Sequence, residues 1–215
     1  MQSYLDHIVI GAASLGPASK ALEDQFGSAL AAGGKHPIMA THNRLMKLQS
    51  QTYLEVIAID PDAPTPTRSR WFSLDEAATK SRLAVAPKPL CWVLAVQDIT
   101  AATRLCGYDA GEIISMSRGD LSWKLTIPQT GALAQNGILP TLIEWPGGIN
   151  PSGRLPDSEI VLEKLVLHHP DPDMIRDVLH RLGAPDLIKV DAGEKIVVLR
   201  IGSSDGELYV TLLSE

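Results

Sequence analysis

The sequence lacks most of the signals that would settle a function class at once. No run of lysine and arginine exceeds two residues, the formal net charge is -6 and the pI is near 5.5. Nucleic-acid and anionic-membrane surfaces need clustered cations, so the composition argues against both. Only two cysteines occur, Cys91 and Cys106. They have neither metal-knuckle nor redox spacing and read as reduced, buried residues. No apolar stretch is long enough to span a bilayer, and no basic region followed by an apolar core is visible near the start. A soluble, cytoplasmic protein is the expectation. The Gly-x-Ser-x-Gly elbow, the phosphate-binding loop and the dinucleotide fingerprint are all missing, so the glycines present read as turn residues.

What is there is an ordinary globular composition, 45% hydrophobic and 20% charged over 215 residues, enough to bury a core. Residues 5–11 form an apolar strand that carries one histidine, His7. A helix follows from Ser14-Leu15, with Pro17 in its first turn and Ala18, Ala21, Leu22 and Phe26 at helical spacing. Gly33-Gly34 reads as a turn, with strands over 35–39, 43–48 and 53–59. The last of these again carries one charged residue, Glu55.

The order strand, helix, strand, strand, strand then recurs. Residues 90–96 are a buried strand, Asp98 caps a helix that Gly107 ends, and strands follow over 112–118, 121–127 and 139–146, the last with Glu144. A third pass begins with the strand 160–168. Asp171-Pro172 opens its helix, and strands over 186–190, 195–201 and 207–213 are separated by turn signals at Asp191-Ala192-Gly193 and Asp205-Gly206. The proline-rich stretch 61–88 reads as a surface connection with a short helix inside it, although a lid is the other reading. The Gly- and Pro-rich stretch 147–156 reads as a linker.

The fold class is therefore α+β, built of three βαβββ units. Units 5–60 and 89–146, joined by 61–88, make a first domain over 1–148, and 157–215 is the third unit. Aligning the opening strands places His7, Trp92 and Lys164 in correspondence. Aligning the closing strands places Glu55, Glu144 and Val210 in correspondence. A register slip of one residue in any strand would turn its side chain to the other face.

The unit with a histidine in its first strand and a glutamate in its last resembles the vicinal-oxygen-chelate superfamily, the group of glyoxalase I, extradiol dioxygenases and the fosfomycin and bleomycin resistance proteins. Within it, Leu5-Asp6-His7-Ile8-Val9, Gly33-Gly34-Lys35-His36-Pro37, Thr41-His42-Asn43, Tyr53-Leu54-Glu55 and Leu139-Pro140-Thr141-Leu142-Ile143-Glu144-Trp145 resemble the glyoxalase-like domain family. The resemblance implies that two units curl into one open cup with a divalent metal inside. The ligand positions carried over are His7, Glu55, Trp92 and Glu144. Tryptophan cannot bind a metal, so the implied ligand set is His7, Glu55 and Glu144, for Mn, Fe, Mg or Zn.

Read from the residues alone, each member keeps two readings. His7 is a ligand or a core histidine bonded to a carbonyl. Glu55 is a site carboxylate or the buried partner of Arg44 or Arg118, and Glu144 has the same two readings. His36, set between a Gly-Gly pair and a proline, is a candidate general base or a turn cap. His42 and Asn43 are candidate substrate contacts, with a surface position as the alternative for His42. Trp92, Trp145 and Trp123 are candidate stacking surfaces.

Two functions for the cup stay open, beside a vestigial site in a protein that only scaffolds a complex. One is a metal-dependent enzyme of the glyoxalase or dioxygenase type, with His36 moving a proton on a small substrate that carries two adjacent oxygens. The other is a metal-free protein that sequesters a small molecule in the same cup. The third unit has no partner within the chain, so it docks on the cup or pairs with a second copy in a homodimer.

Overall fold

The computed structural model describes residues 2–48, 50–204 and 208–214, with 208–210 described by their backbone. Its elements run β1 (Ser3–Gly11), α1 (Leu15–Phe26), β2 (Ala31–His36), β3 (Thr41–Lys47), β4 (Tyr53–Ile59), α2 (Ala77–Val85), β5 (Lys88–Val96), α3 (Ile99–Leu105), β6 (Glu112–Arg118), β7 (Leu121–Ile127), β8 (Thr141–Glu144), β9 (Ile160–His169), α4 (Pro172–Leu182), β10 (Ile188–Ala192), β11 (Ile196–Ser203) and β12 (Leu208–Leu213). The expected turn at Asp205-Gly206 lies outside the described residues. Among the described residues no helix is long and apolar enough to cross a membrane.

Eight strands form one curled sheet in the order β2-β3-β4-β1-β5-β8-β7-β6. The two units meet where β1 and β5 run antiparallel, and in each the opening strand lies parallel to the closing one, β1 on β4 and β5 on β8. This is the mixed α+β cup that the repeat implies. Helices α1 and α3 sit on the convex side because the strands offer them a wholly apolar face. Ile8, Ile10, Leu54, Val56 and Ala58 share a buried cluster with Leu15, Ala18, Leu22 and Phe26 of α1. Alternate residues face the concave side, where Val9, Ile57, Val93, Leu125 and Ile143 form a second cluster.

The third unit has the expected element order but a different pairing. Its four-stranded sheet runs β10-β9-β11-β12, so β9 lies parallel to β10, the first strand after its helix, rather than to the last. Its apolar face, Leu165, Leu167, Val197, Leu199 and Ile201, joins the cluster behind β5. The unit therefore docks on the back of the cup.

Three local departures from the sequence reading shape the concave side. Gly33-Gly34 lies inside β2 as an irregularity in its pairing with β3, and the turn comes later, at residues 37–40. A bulge between Leu5 and His7 interrupts the ladder with β5. The stretch 61–88 is not a plain surface connection: Trp71, Phe72 and Leu74 are buried in the concave cluster. The strap takes a sharp path there, with Phe72 and Ser73 in the left-handed region at φ 58° and 56°. Ser73 N donates to Gly131 O, and Leu133 N to Ser73 Oγ, which ties the strap to the second unit.

Candidate functional site

A buried ion-pair chain forms the floor of the cup. His7 Nδ1 donates to Asp6 Oδ1 at 2.7 Å, and His7 Nε2 lies 3.5 Å from Glu55 Oε2. Both side chains are almost fully buried, 6% exposed for His7 and 7% for Glu55. The two strands explain the meeting. β1 and β4 are neighbours with His7 opposite Tyr53 and Val9 opposite Glu55, so His7 and Glu55 are diagonal on one face. The Tyr53 ring stacks on the His7 ring at 4.7 Å.

Strict alternation would put Asp6 on the helix side, away from His7. The β1 bulge removes that alternation, so two consecutive residues turn toward the cup and Leu5 joins the helix-side cluster. Asp6 is held there by Trp145 Nε1 at 2.8 Å and Asn150 Nδ2 at 3.1 Å, both donating to its Oδ2.

Glu55 is fixed from the side. Asn43 Nδ2 donates to Glu55 Oε1 in a short hydrogen bond. Asn43 Oδ1 in turn accepts from Gly34 N at 2.7 Å and from Arg118 Nη1 at 3.4 Å, which sets the orientation of the amide. The glycine pair makes this possible. A Cβ on Gly33 would stand 2.1 Å from Asn43 Oδ1, and one on Gly34 would stand 2.5 Å from Arg118 Cδ.

The electrostatics follow from burial and pairing. Burial alone would discharge both His7 and Glu55, but the partners win. The flanking carboxylates of Asp6 and Glu55 raise His7 to about 9, and His7, with His36 and Asn43, lowers Glu55 to about 2. Both are charged at neutral pH. At 3.5 Å the pair is held by charge rather than by a full hydrogen bond, so the Nε2–H of His7 keeps room for another acceptor. His36 behaves oppositely. Burial, with Arg118 and His7 adding to it, lowers it to about 4 against the pull of Glu55. It is a neutral imidazole, its Nδ1 3.1 Å from Thr41 Oγ1 and its ring edge-on to Trp71 at 4.9 Å.

These groups line a cavity of about 40 Å³ walled by Trp71, Phe72, Trp123, Trp145, Leu125 and Ile143. A larger hollow of about 820 Å³ opens beside the second sheet. Its charged residues Lys164, Lys189 and Arg200 are exposed, and the buried charge pair marks the small cavity as the candidate site.

Of the sequence candidates, His7, His36, Asn43, Glu55, Trp123 and Trp145 come together in this cavity. Three do not. Trp92 lies opposite Ile8 and shares its helix-side face, fully buried, with Nε1 donating to Ile138 O at 2.9 Å. The residues of β5 that reach the cup cluster are Cys91, Val93 and Ala95. Glu144 is likewise one residue out of register with the cup, since its neighbours Ile143 and Trp145 are the ones that line it. Its Oε2 accepts from Ile99 N at the start of α3 at 2.9 Å, and its Oε1 from Lys124 Nζ at 2.7 Å. His42 lies opposite Ala58, which belongs to the helix side, while Thr41 and Asn43 face inward. Sequence reasoning missed Asp6, hidden by the bulge, and Trp71 and Phe72, hidden in the aperiodic strap. It weighed Arg118 as an ion-pair partner of Glu55, and the structure seats the guanidinium on Asn43.

The residues present do not fit the divalent cation that the ligand set implied. With Glu144 and Trp92 turned away, the second unit offers the cup Val93 and Ile143. Among the described residues no three His, Cys, Asp or Glu side chains converge as a metal site. The fixed positive charge of Arg118 at the same cavity opposes a further dication.

The family model described as "Glyoxalase-like domain" matches residues 5–183. No functionally curated protein matches the chain. Among solved structures, a hypothetical protein from Staphylococcus aureus aligns over 93% of this chain and 81% of its own, at 17% identity and a TM-score of 0.54. Methylmalonyl-CoA epimerase from Mycobacterium tuberculosis aligns over 66% of this chain and 87% of its own, at 18% identity and a TM-score of 0.43. At 17% identity the likeness to the first of these is one of fold.

Proposed function

The chain belongs to the glyoxalase-like domain family, and from that premise we propose that the cup is the active site of an enzyme that moves a proton at a carbon beside a carbonyl group, without a metal. The observation that carries this reading is the His7–Glu55 pair, 3.5 Å apart, charged and buried in a cavity walled by aromatic rings. Burying two charges is costly, and such pairs concentrate where charge is used.

In the proposed step Glu55 takes the proton from the carbon. The C–H electron pair moves onto the carbonyl oxygen, and the Nε2–H of His7 donates to the oxyanion as it forms. His7 thus supplies the positive charge that a metal supplies elsewhere, and Asp6 keeps the imidazole oriented and protonated. Return of a proton to the carbon completes an isomerisation or an exchange with solvent. His36, neutral and fixed by Thr41, is the second group able to exchange a proton with the ligand. Asn43 positions Glu55.

One observation favours a second reading, a binding protein without turnover. A carboxylate held near 2 is a weak base at neutral pH. Solvent deuterium exchange separates the two. Protein incubated in deuterium oxide with a small ketone or 2-oxo acid should place deuterium at the carbon beside the carbonyl. Glu55→Gln should abolish that exchange while ligand binding stays within about threefold, a difference below 1 kcal/mol. Binding by both proteins with exchange by neither would establish sequestration instead.

A further inference from the structure

Three polar groups at the wall of the cup are left without a full partner by the contacts of the chain. Arg118 reaches in from the end of β6 beside Gly34, and its one side-chain hydrogen bond among the described residues is the 3.4 Å contact to Asn43 Oδ1. No carboxylate of the described residues lies within ion-pair distance of it. Trp71, 4% exposed, stands in the wall between the cup and a neighbouring hollow, and its Nε1 has no hydrogen-bond partner. An unpartnered buried donor is costly and calls for an acceptor. His7 Nε2 faces Glu55 across the 3.5 Å gap.

Three donors and one carboxylate acceptor describe an anion with a second oxygen next to its charge. A guanidinium offers paired N–H groups that match a carboxylate. Trp71 and His7 offer N–H groups to a neighbouring carbonyl or hydroxyl oxygen. The enclosed space favours a small ligand. A cavity of about 40 Å³ holds roughly three waters, or about 90 Å³ of liquid volume, the room taken by an acid of about three carbons.

We infer that the ligand of this cup is a short 2-oxo or 2-hydroxy carboxylate, its carboxylate held by Arg118 and its 2-oxygen by Trp71 and His7. This rests on the reading of the cup as a substrate site. It adds the anionic group, the size limit and the residue that selects for charge. The aromatic walls then serve to exclude water and long side chains rather than to stack on an aromatic substrate.

The chain supplies its own reporter. Of its four tryptophans, Trp71, Trp123 and Trp145 line the cup and Trp92 lies behind the sheet. Full-length protein labelled with nitrogen-15 is titrated with pyruvate, with methyl pyruvate and with phenylpyruvate, and the four indole N–H signals are followed. Pyruvate should shift the three cup signals and leave Trp92 in place. It should bind at least tenfold tighter than its methyl ester and than phenylpyruvate. Arg118→Gln should erase the preference for acid over ester without weakening the ester, and Arg118→Lys should restore part of it.

Equal binding of acid and ester by the wild type, or a preference that survives in Arg118→Gln, overturns the anion assignment while leaving the cup as the site. Tighter binding of phenylpyruvate overturns the size limit. Shifts in none of the cup signals with any of the three probes overturns both this inference and the reading it rests on.

Discussion

Asp6 and His7 are consecutive residues of β1, yet their side chains meet, with His7 Nδ1 donating to Asp6 Oδ1 at 2.7 Å. In a regular strand they would point to opposite faces. The bulge at this point turns both toward the cup, and the ion-pair chain Asp6–His7–Glu55 depends on it.

Removing the outer charge of that chain should discharge the middle one. Asp6→Asn is expected to lower the His7 pKa toward its ordinary value and to cost about 3–5 kcal/mol, as for a buried pair that loses one member. Nuclear magnetic resonance titration of the His7 ring and urea unfolding at pH 7 check the two effects separately.

Stability should peak near pH 6.5 and fall on both sides. His7 is raised from 6.5 to about 9, so its contribution is complete below pH 6.5 and is lost as the pH rises through 9. His36 is lowered from 6.5 to about 4. Its folded state favours the neutral ring, so its contribution is complete above pH 6.5 and is lost as the pH falls toward 4. Glu55, lowered from 4.5 to about 2, contributes above 4.5 and loses that contribution as the pH falls further. Thermal unfolding from pH 4 to pH 9 should trace this dome. His7→Gln should flatten its alkaline side, and His36→Asn should flatten the stretch from 6.5 to 4.

The two carried-over candidates behind the sheet should behave as structural residues. Trp92→Ala should cost about 3–5 kcal/mol through loss of packing. Glu144→Gln should cost about 1 kcal/mol by weakening the contacts with Lys124 and the start of α3. Neither change should alter deuterium exchange at the cup by more than about twofold once the protein is folded, a margin of well under 1 kcal/mol.

Gly34→Ala tests the close approach that lets Arg118 into the cup. Its Cβ would stand 2.5 Å from Arg118 Cδ, so the flexible side chain must give way. Unfolding free energy should change by less than about 1 kcal/mol, within the range of a peripheral substitution. The preference for a carboxylate over its ester should fall severalfold, measured by titration of the indole signals.

Much of the architecture was legible because the strands obey two periods. Along β4 the alternation of Tyr53, Glu55 and Ile57 with Leu54, Val56 and Ala58 assigns both faces, and the structure has the same division. Legibility failed where a single residue of register decides the face. Trp92 and Glu144 were aligned with His7 and Glu55 by sequence distance, but the antiparallel partner Ile8 puts Trp92 on the helix side, and Ile143 and Trp145 take the inward places around Glu144. Asp6 was invisible because a bulge leaves no mark in composition. Trp71 and Phe72 sit in a proline-rich stretch with no period to read, and only tertiary packing brings them over the cup. The third unit kept its order of elements while changing its pairing, because order alone does not say which strand neighbours the first.

The proposed chemistry requires His7 to carry a positive charge inside the cup in place of a metal. Long-range proton–nitrogen spectra of the full-length, chelator-treated protein read that charge directly. At pH 7.5 both ring nitrogens of His7 should have the shifts of an imidazolium, should titrate near pH 9, and should be unmoved by added zinc or manganese. A neutral His7 ring at pH 7.5, or binding of either ion at His7 and Glu55, would contradict it.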